Sequence, residues 1–160
     1  METITTKTPT LHIDELQLVN RVSLVHSGRE YFDLLENLIQ KATQFIHLQT
    51  YIFEADDTGK VIVYQLIEAA KRGVKVMLVV DGYASQGLSA SAIHRMEEHG
   101  IQFLFFNPVW KSKYFYFGRR LHHKVVVVDG LHGLVGGINV SDHYNDTVEH
   151  LAWLDWALHV

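Results

Sequence analysis

LHHKVVVVDGLHGLVGGIN, residues 121–139, decides how this chain is read. Val125 to Val128 form the filling of a buried strand, and Asp129-Gly130 is a turn signal. The chain then returns through His132 to Val135 into Gly136-Gly137. Side chains alternate faces along a strand, so His122 and Lys124 point one way and His123 the other. A metal site would want both imidazoles converging, and an ammonium beside one ligand opposes a divalent cation. An imidazole flanked by a cation suits an anionic substrate instead: lysine neutralises a phosphate oxygen while a neutral histidine attacks phosphorus. Gly136 and Gly137 let backbone come close to a ligand. Asn139 follows, with an amide able to donate to another phosphate oxygen. Taken singly, a histidine, an Asp-Gly turn and a glycine pair are ordinary structural features. Their occurrence together at these offsets is what points to phosphodiester chemistry.

Outward from this stretch, strands alternate with helices. Residues 30–43 place Tyr31, Leu34, Leu35, Leu38, Ile39 and Ala42 on one helical stripe. FIHLQTYIF, 45–53, reads as a strand. Asp57 or Thr58 is expected to cap a second helix that buries Ile62, Val63, Leu66, Ile67 and Ala70, with Gly73 ending it. VKVMLVV, 74–80, is a buried strand closed by Asp81-Gly82. Ser89 or Ser91 starts a third helix, Gly100 ends it, and IQFLFF, 101–106, is the next strand. Ser141 or Asp142 can cap a short helix after Asn139. The pattern predicts an α/β layered fold.

The chain has 160 residues, 48% of them apolar, which suits one globular domain. A formal charge of −4 argues against a protein that coats nucleic acid with a basic face. There is no cysteine, hence no disulfide framework and no thiol chemistry. Residues 1–20 carry no long apolar run and are expected to form an arm, with the domain spanning 21–160. VWKSKYFYFGRR, 109–120, mixes Lys111, Lys113, Arg119 and Arg120 with Trp110, Tyr114, Phe115, Tyr116 and Phe117. Such a loop can meet lipid headgroups or stack the bases of a single strand, and it can equally be a solvated loop closing over the core. His47 and Gln49 share a strand face, where they either line the site or, as the more ordinary reading, are satisfied polar positions. WLDWALHV ends the chain within a strand-like apolar run, which suggests one half of a longer protein.

The pattern H-x-K-x4-D-x6-G-G-x-N is complete at His122, Lys124, Asp129, Gly136, Gly137 and Asn139. It resembles the signature of the phospholipase D superfamily. The segments SLVHSGREYFDLLENLIQKATQFIHLQTYIFEAD, GVKVMLVVDGYAS, FNPV and GGINVSDHYND are similar to the first half of bacterial cardiolipin synthases. The resemblance implies an α-β-α sandwich with a mixed central sheet. It implies a phosphatidyltransferase in which two such halves face each other across one site, in one longer chain or as a homodimer. His122 would form a phosphohistidine or protonate the leaving alkoxide. Lys124 and Asn139, with Gly136 and Gly137, would hold the phosphate. Asp129 is the motif acid, and its turn position suggests an architectural role. Asp155 would orient the histidine. No metal or other cofactor is required. The expected substrate is a phospholipid such as phosphatidylglycerol, met by a cytoplasmic protein touching the inner face of a membrane. A homodimeric phosphodiesterase or nuclease is the alternative, with nucleic acid the weaker partner.

Overall fold

The computed structural model describes residues 21–108 and 119–160. The proposed N-terminal arm and residues 109–118 of the basic-aromatic loop lie outside the described residues. The element order is β1 (Ser23–His26), α1 (Arg29–Lys41), β2 (Phe45–Thr50), α2 (Asp57–Lys71), β3 (Lys75–Asp81), α3 (Ala90–Glu98), β4 (Gln102–Phe106), β5 (Lys124–Val128), β6 (His132–Gly136) and β7 (Trp156–His159). A 3-10 turn at Asp142–Tyr144 separates β6 from β7. The seven strands form one mixed sheet in the order β1-β7-β6-β5-β2-β3-β4. Strands β2, β3 and β4 run parallel through helical crossovers, whereas β5, β6 and β7 form an antiparallel meander. The seam between the two halves is the antiparallel pairing of β2 with β5. This is the expected α/β fold on a mixed sheet.

Strand β1 was not foreseen. SLVH is too short to show a period, and it becomes a strand only by pairing with β7, more than a hundred residues away. Strand β2 stops at Thr50 rather than running to Phe53, which makes only an isolated bridge to Val140. The second helix begins one residue early. Its cap is Asp56, whose carboxylate accepts from Gly59 N at 2.9 Å, rather than Asp57 or Thr58. Ser89 caps α3 as read, and Gly73 and Gly100 follow helix ends with positive φ.

The buried stripes of all three helices join one core with Ile46, Leu48, Val76, Leu78, Val80, Val126 and Val128. Leu35, Ile39, Ile62, Leu66 and Leu78 are fully buried there, and each truncation to alanine would cost about 2–5 kcal/mol. The other face carries the cross-strand row Leu24, Leu158, Val135, Val125, Gln49, Val79 and Leu104. Leu24, Val135, Leu158 and Leu104 are exposed. Among the described residues the helices therefore make one layer of the expected sandwich, and none of them covers this second face.

The segment after Asn139 holds the helices in place. Asp142 accepts from Thr58 N at 2.8 Å, at the start of α2, while Asp56 accepts from Asp142 N at 2.6 Å. Asp146 accepts from Arg29 N at 3.0 Å, at the start of α1, where Gly28 offers no side-chain cap. Ser141, not Asp142, caps the 3-10 turn. The helix N–H groups left open by geometry are thus met by carboxylates from a distant loop.

Asp129 does the same at the opposite end of β5. It and Gly130 both take positive φ, and Leu131 N donates to Val128 O across the turn. The carboxylate of Asp129 accepts from the N–H groups of Thr43, Gln44 and Phe45 at 2.8–2.9 Å, and from the Thr43 hydroxyl at 2.9 Å. It therefore clamps the hairpin to the α1–β2 junction. Partial desolvation raises its carboxyl, but these hydrogen bonds outweigh it and hold the pKa at about 2. Replacement of Asp129 by Ala is expected to cost about 2 kcal/mol, read as a lower urea midpoint with unchanged slope. A depressed carboxyl contributes fully above its unfolded value of about 3.9. That contribution is lost as pH falls through about 2. The stability gap between wild type and variant should close across that window; a gap unchanged from pH 5 to pH 2 would refute the clamp.

Candidate functional site

The site is built at the end of the sheet where β2 and β3 finish and β5 begins. Asp81, the last residue of β3, is fully buried. Its carboxylate accepts from Tyr83 N at 2.9 Å, Ala84 N at 3.1 Å and Leu121 N at 2.9 Å. Arg120 reaches it at 3.3 Å and also donates to Asn107 O at 3.3 Å. One buried acid thus fixes both the turn after β3 and the backbone entering the motif. Arg120, one of the cations of the loop expected to meet lipid headgroups, stack along a nucleic acid strand or stay solvated, serves here as a brace, with its guanidinium 5.9 Å from the Tyr83 ring centre.

His122 follows directly. It lies before β5 rather than on it, so its placement owes more to the Leu121–Asp81 bond than to strand alternation. His122 is exposed, and so is His123. Lys124 is the reverse case, with only 7% of its surface exposed. Its ammonium donates to His122 O at 3.1 Å and stands 3.4 Å from each ring nitrogen of His122. Tyr51, just past β2, completes the cluster. Its ring centre is 5.1 Å from that of His122 and 5.4 Å from Lys124 Nζ. Burial lowers the pKa of Lys124, and the charge of Asp155 opposes that fall. No carboxylate among the described residues forms an ion pair with it. A withdrawn cation without a contact anion, beside an exposed imidazole, is suited to receive an anionic group.

Asn139 is buried, and its Oδ1 accepts from Ile52 N at 3.0 Å and from the Thr50 hydroxyl at 3.4 Å. The acceptor end is therefore committed to β2, which leaves the NH2 end as the one able to donate to a ligand. Gly136 and Gly137 face β7. A Cβ on Gly136 would stand 2.6 Å from Ala157 Cα, and one on Gly137 would stand 2.7 Å from Asp155 Cγ. Gly136 is required by the close approach of the β7 backbone, whereas a side chain at Gly137 would displace the Asp155 carboxylate. Asp155 is held by Ser27, whose Oγ accepts from Asp155 N at 3.1 Å, and its own Oδ1 accepts from Trp156 N at 2.7 Å. No hydrogen bond joins Asp155 to His122; the carboxylate lies against Gly137 and acts electrostatically on Lys124.

The structure thus gathers His122, Lys124, Asn139, Gly137 and Asp155, and separates Asp129 from them. At about 3.3 Å per residue, Asp129 sits roughly 16 Å along β5 from Lys124. His47 and Gln49 are hydrogen-bonded to each other at 2.6 Å, on the sheet face away from Lys124. Among the described residues no group of three or more His, Asp or Glu side chains converges as metal ligands. Sequence reasoning missed Asp81, Tyr51, Ser27 and Ser85. The available signal for Asp81 was an acid closing an otherwise apolar strand. Replacing Asp81 with Ala removes four hydrogen bonds and strands Arg120, so a loss of about 3 kcal/mol is expected in urea unfolding. A loss below about 1 kcal/mol would contradict the bracing role.

A sequence model of the family described as cardiolipin synthase, PLD-like domain, matches residues 35–155. The chain is 35% identical to a cardiolipin synthase of Geobacillus sp. (strain WCH70) over 132 residues, covering 81% of this chain and 26% of that protein. It is 31% identical to cardiolipin synthase B of Escherichia coli (strain K12) over 144 residues, covering 87% of this chain and 34% of that one. The chain therefore spans about a quarter to a third of the curated relatives it matches. Its fold is similar to that of Nuc, a phospholipase D family member from Salmonella typhimurium, with TM-score 0.63, 22% identity, and coverage of 87% and 81% of the two chains. It is also similar to phosphatidylserine synthase of Haemophilus influenzae Rd KW20, with TM-score 0.67, 16% identity, and coverage of 87% and 32%. With the sequence match running from within α1 to Asp155 and taking in the whole His122–Asn139 motif, the chain belongs to the cardiolipin synthase, PLD-like domain family.

Proposed function

We propose that residues 21–160 form one half of a phospholipase D-type phosphatidyltransferase, which moves a phosphatidyl group from one phospholipid to the hydroxyl of another. The observation that carries this reading is the buried ammonium of Lys124, which no carboxylate among the described residues contacts, beside the exposed ring of His122, within a chain of this family. The second half of the site comes from a further His-Lys-Asp copy, in the same longer protein or in a second copy of this one.

In the first step a histidine nitrogen attacks phosphorus, and the P–O bond to the leaving alcohol breaks. The facing histidine protonates the departing alkoxide. In the second step the acceptor hydroxyl gives its proton to that same histidine and attacks the phosphohistidine, which restores the free imidazole. His122 takes one of these two roles, and the facing copy takes the other. Lys124 and the Asn139 amide hold the non-bridging oxygens and stabilise the charge that develops on them. Asp155 offsets part of the effect of burial on Lys124, and Asp129 serves the fold. No helix among the described residues is long and apolar enough to cross a membrane. We assign the protein to peripheral contact with the inner face of the bilayer, where its substrate lies.

The test uses the complete protein with phosphatidylglycerol vesicles and, separately, single-stranded DNA. Cardiolipin formation is expected on the vesicles; cleavage of DNA alone would remove the lipid assignment in favour of a nuclease. In the complete enzyme His122→Ala should lower turnover by at least about a thousandfold with the fold intact by circular dichroism. Near-normal turnover in that variant would refute the assignment of His122.

A further inference from the structure

We propose that Tyr51 is a positioning residue for the phosphate-handling pair, its aromatic face holding the Lys124 ammonium charged and seated against His122. The inference rests on the reading of His122 and Lys124 given above.

Tyr51 occupies an unusual place. Continued alternation along β2 would send it to the face of His47 and Gln49, away from Lys124. The strand instead ends at Thr50, and the bend that follows is pinned on both sides. Ser85, itself buried, donates through Oγ to Tyr51 O at 3.0 Å and accepts from Phe53 N at 3.0 Å. Between them, Ile52 N donates to Asn139 Oδ1 at 3.0 Å. The backbone of Tyr51 therefore has little freedom, and the bonds that fix it also fix the Asn139 amide.

The ring so placed touches both members of the pair. A separation of 5.4 Å from Lys124 Nζ lies within cation–π range. A centroid distance of 5.1 Å to His122 at an interplanar angle of 48° makes the same ring a wall for the imidazole. Among the described residues, the groups that act on Lys124 are His122 from its own segment, Asp155 ahead of β7 and the Tyr51 ring from the end of β2. Of these only Asp155 carries a formal negative charge, and it forms no contact ion pair. Burial disfavours the ammonium, so an electron-rich ring face is a direct means of retaining the charge without occupying the donors that must meet phosphate. A carboxylate in contact would retain the charge too, but it would compete with the substrate for the same N–H groups.

The experiment compares wild type, Tyr51→Phe and Tyr51→Leu in the complete protein. It reads two quantities: the titration of the 13C-labelled Lys124 side chain by NMR without substrate, and kcat against pH on phosphatidylglycerol vesicles. Loss of the ring should lower the Lys124 titration further and move the alkaline limb of kcat to lower pH, with kcat down about tenfold. Phenylalanine keeps the ring face, so Tyr51→Phe should restore both to near wild type. Replacing Tyr51 with 3,4,5-trifluorophenylalanine keeps the shape and withdraws the charge of the face. It should reproduce the lowered Lys124 titration even if the leucine variant folds poorly. An unchanged Lys124 titration in both the leucine and fluorinated variants would overturn the proposal. So would a phenylalanine variant as impaired as leucine, which would transfer the role to the hydroxyl. If wild type acts on no phospholipid, the functional reading fails, while the substrate-free titration still decides the part played by Tyr51.

Discussion

Backbone N–H groups at chain reversals and helix starts must find an acceptor, and in this fold aspartate carboxylates carry much of that load. Asp129 meets three of them at the α1–β2 junction. Asp81 meets three more at the end of β3 and the entry to the motif. Asp142 and Asp146 reach from the loop after β6 to the starts of α2 and α1. Apart from the two turn bonds that Asp81 accepts from Tyr83 and Ala84, these bonds join segments 40 or more residues apart in sequence. Together they lock the parallel half of the sheet to the antiparallel half at both ends of the β2–β5 seam.

The site is a consequence of that bracing. Lys124 opens β5 on the same buried face as Val126 and Val128, so its ammonium is drawn under the surface by the strand that carries it. The neighbouring backbone is tied down through Leu121 to Asp81, which leaves the His122 ring outside. Asn139 is turned so that its oxygen serves β2 and its amide remains to donate. A cation kept from water and without a contact counter-ion sits at higher free energy than one in solution. The arrival of a phosphate oxygen relieves that cost, so the stability sacrificed at Lys124 reappears as affinity for an anion.

Much of the fold was legible because its signals are local. The stripe of α1, the Ser89 cap and the glycines after α2 and α3 all act within one or two turns of chain. The Asp129-Gly130 turn is equally local, since both residues must adopt positive φ. What escaped has a non-local cause. SLVH becomes a strand because β7 lies beside it. Asp56 serves as the cap of α2 while Asp142, from a loop more than eighty residues away, accepts from the N–H of Thr58. Gly136 answers first to the crowding of β7, and Gly137 to the Asp155 carboxylate. Asp155 arrives beside Gly137 and Lys124 rather than on the imidazole, because Ser27 of the β1–α1 connection holds its backbone.

The sequence by itself determined the α/β class, the phosphodiester motif and its family. These depend on periodicity, turn chemistry and the spacing of residues within about twenty positions of one another. Only the tertiary structure decided that Lys124 is buried and His122 exposed, that Asp129 is a clamp distant from them, and that Tyr51 closes over both. Burial, charge and distance between side chains are set by which strands pair and which carboxylates bridge them. Those contacts reach across nearly the whole described chain, from Ser23 to His159, and no local pattern encodes them.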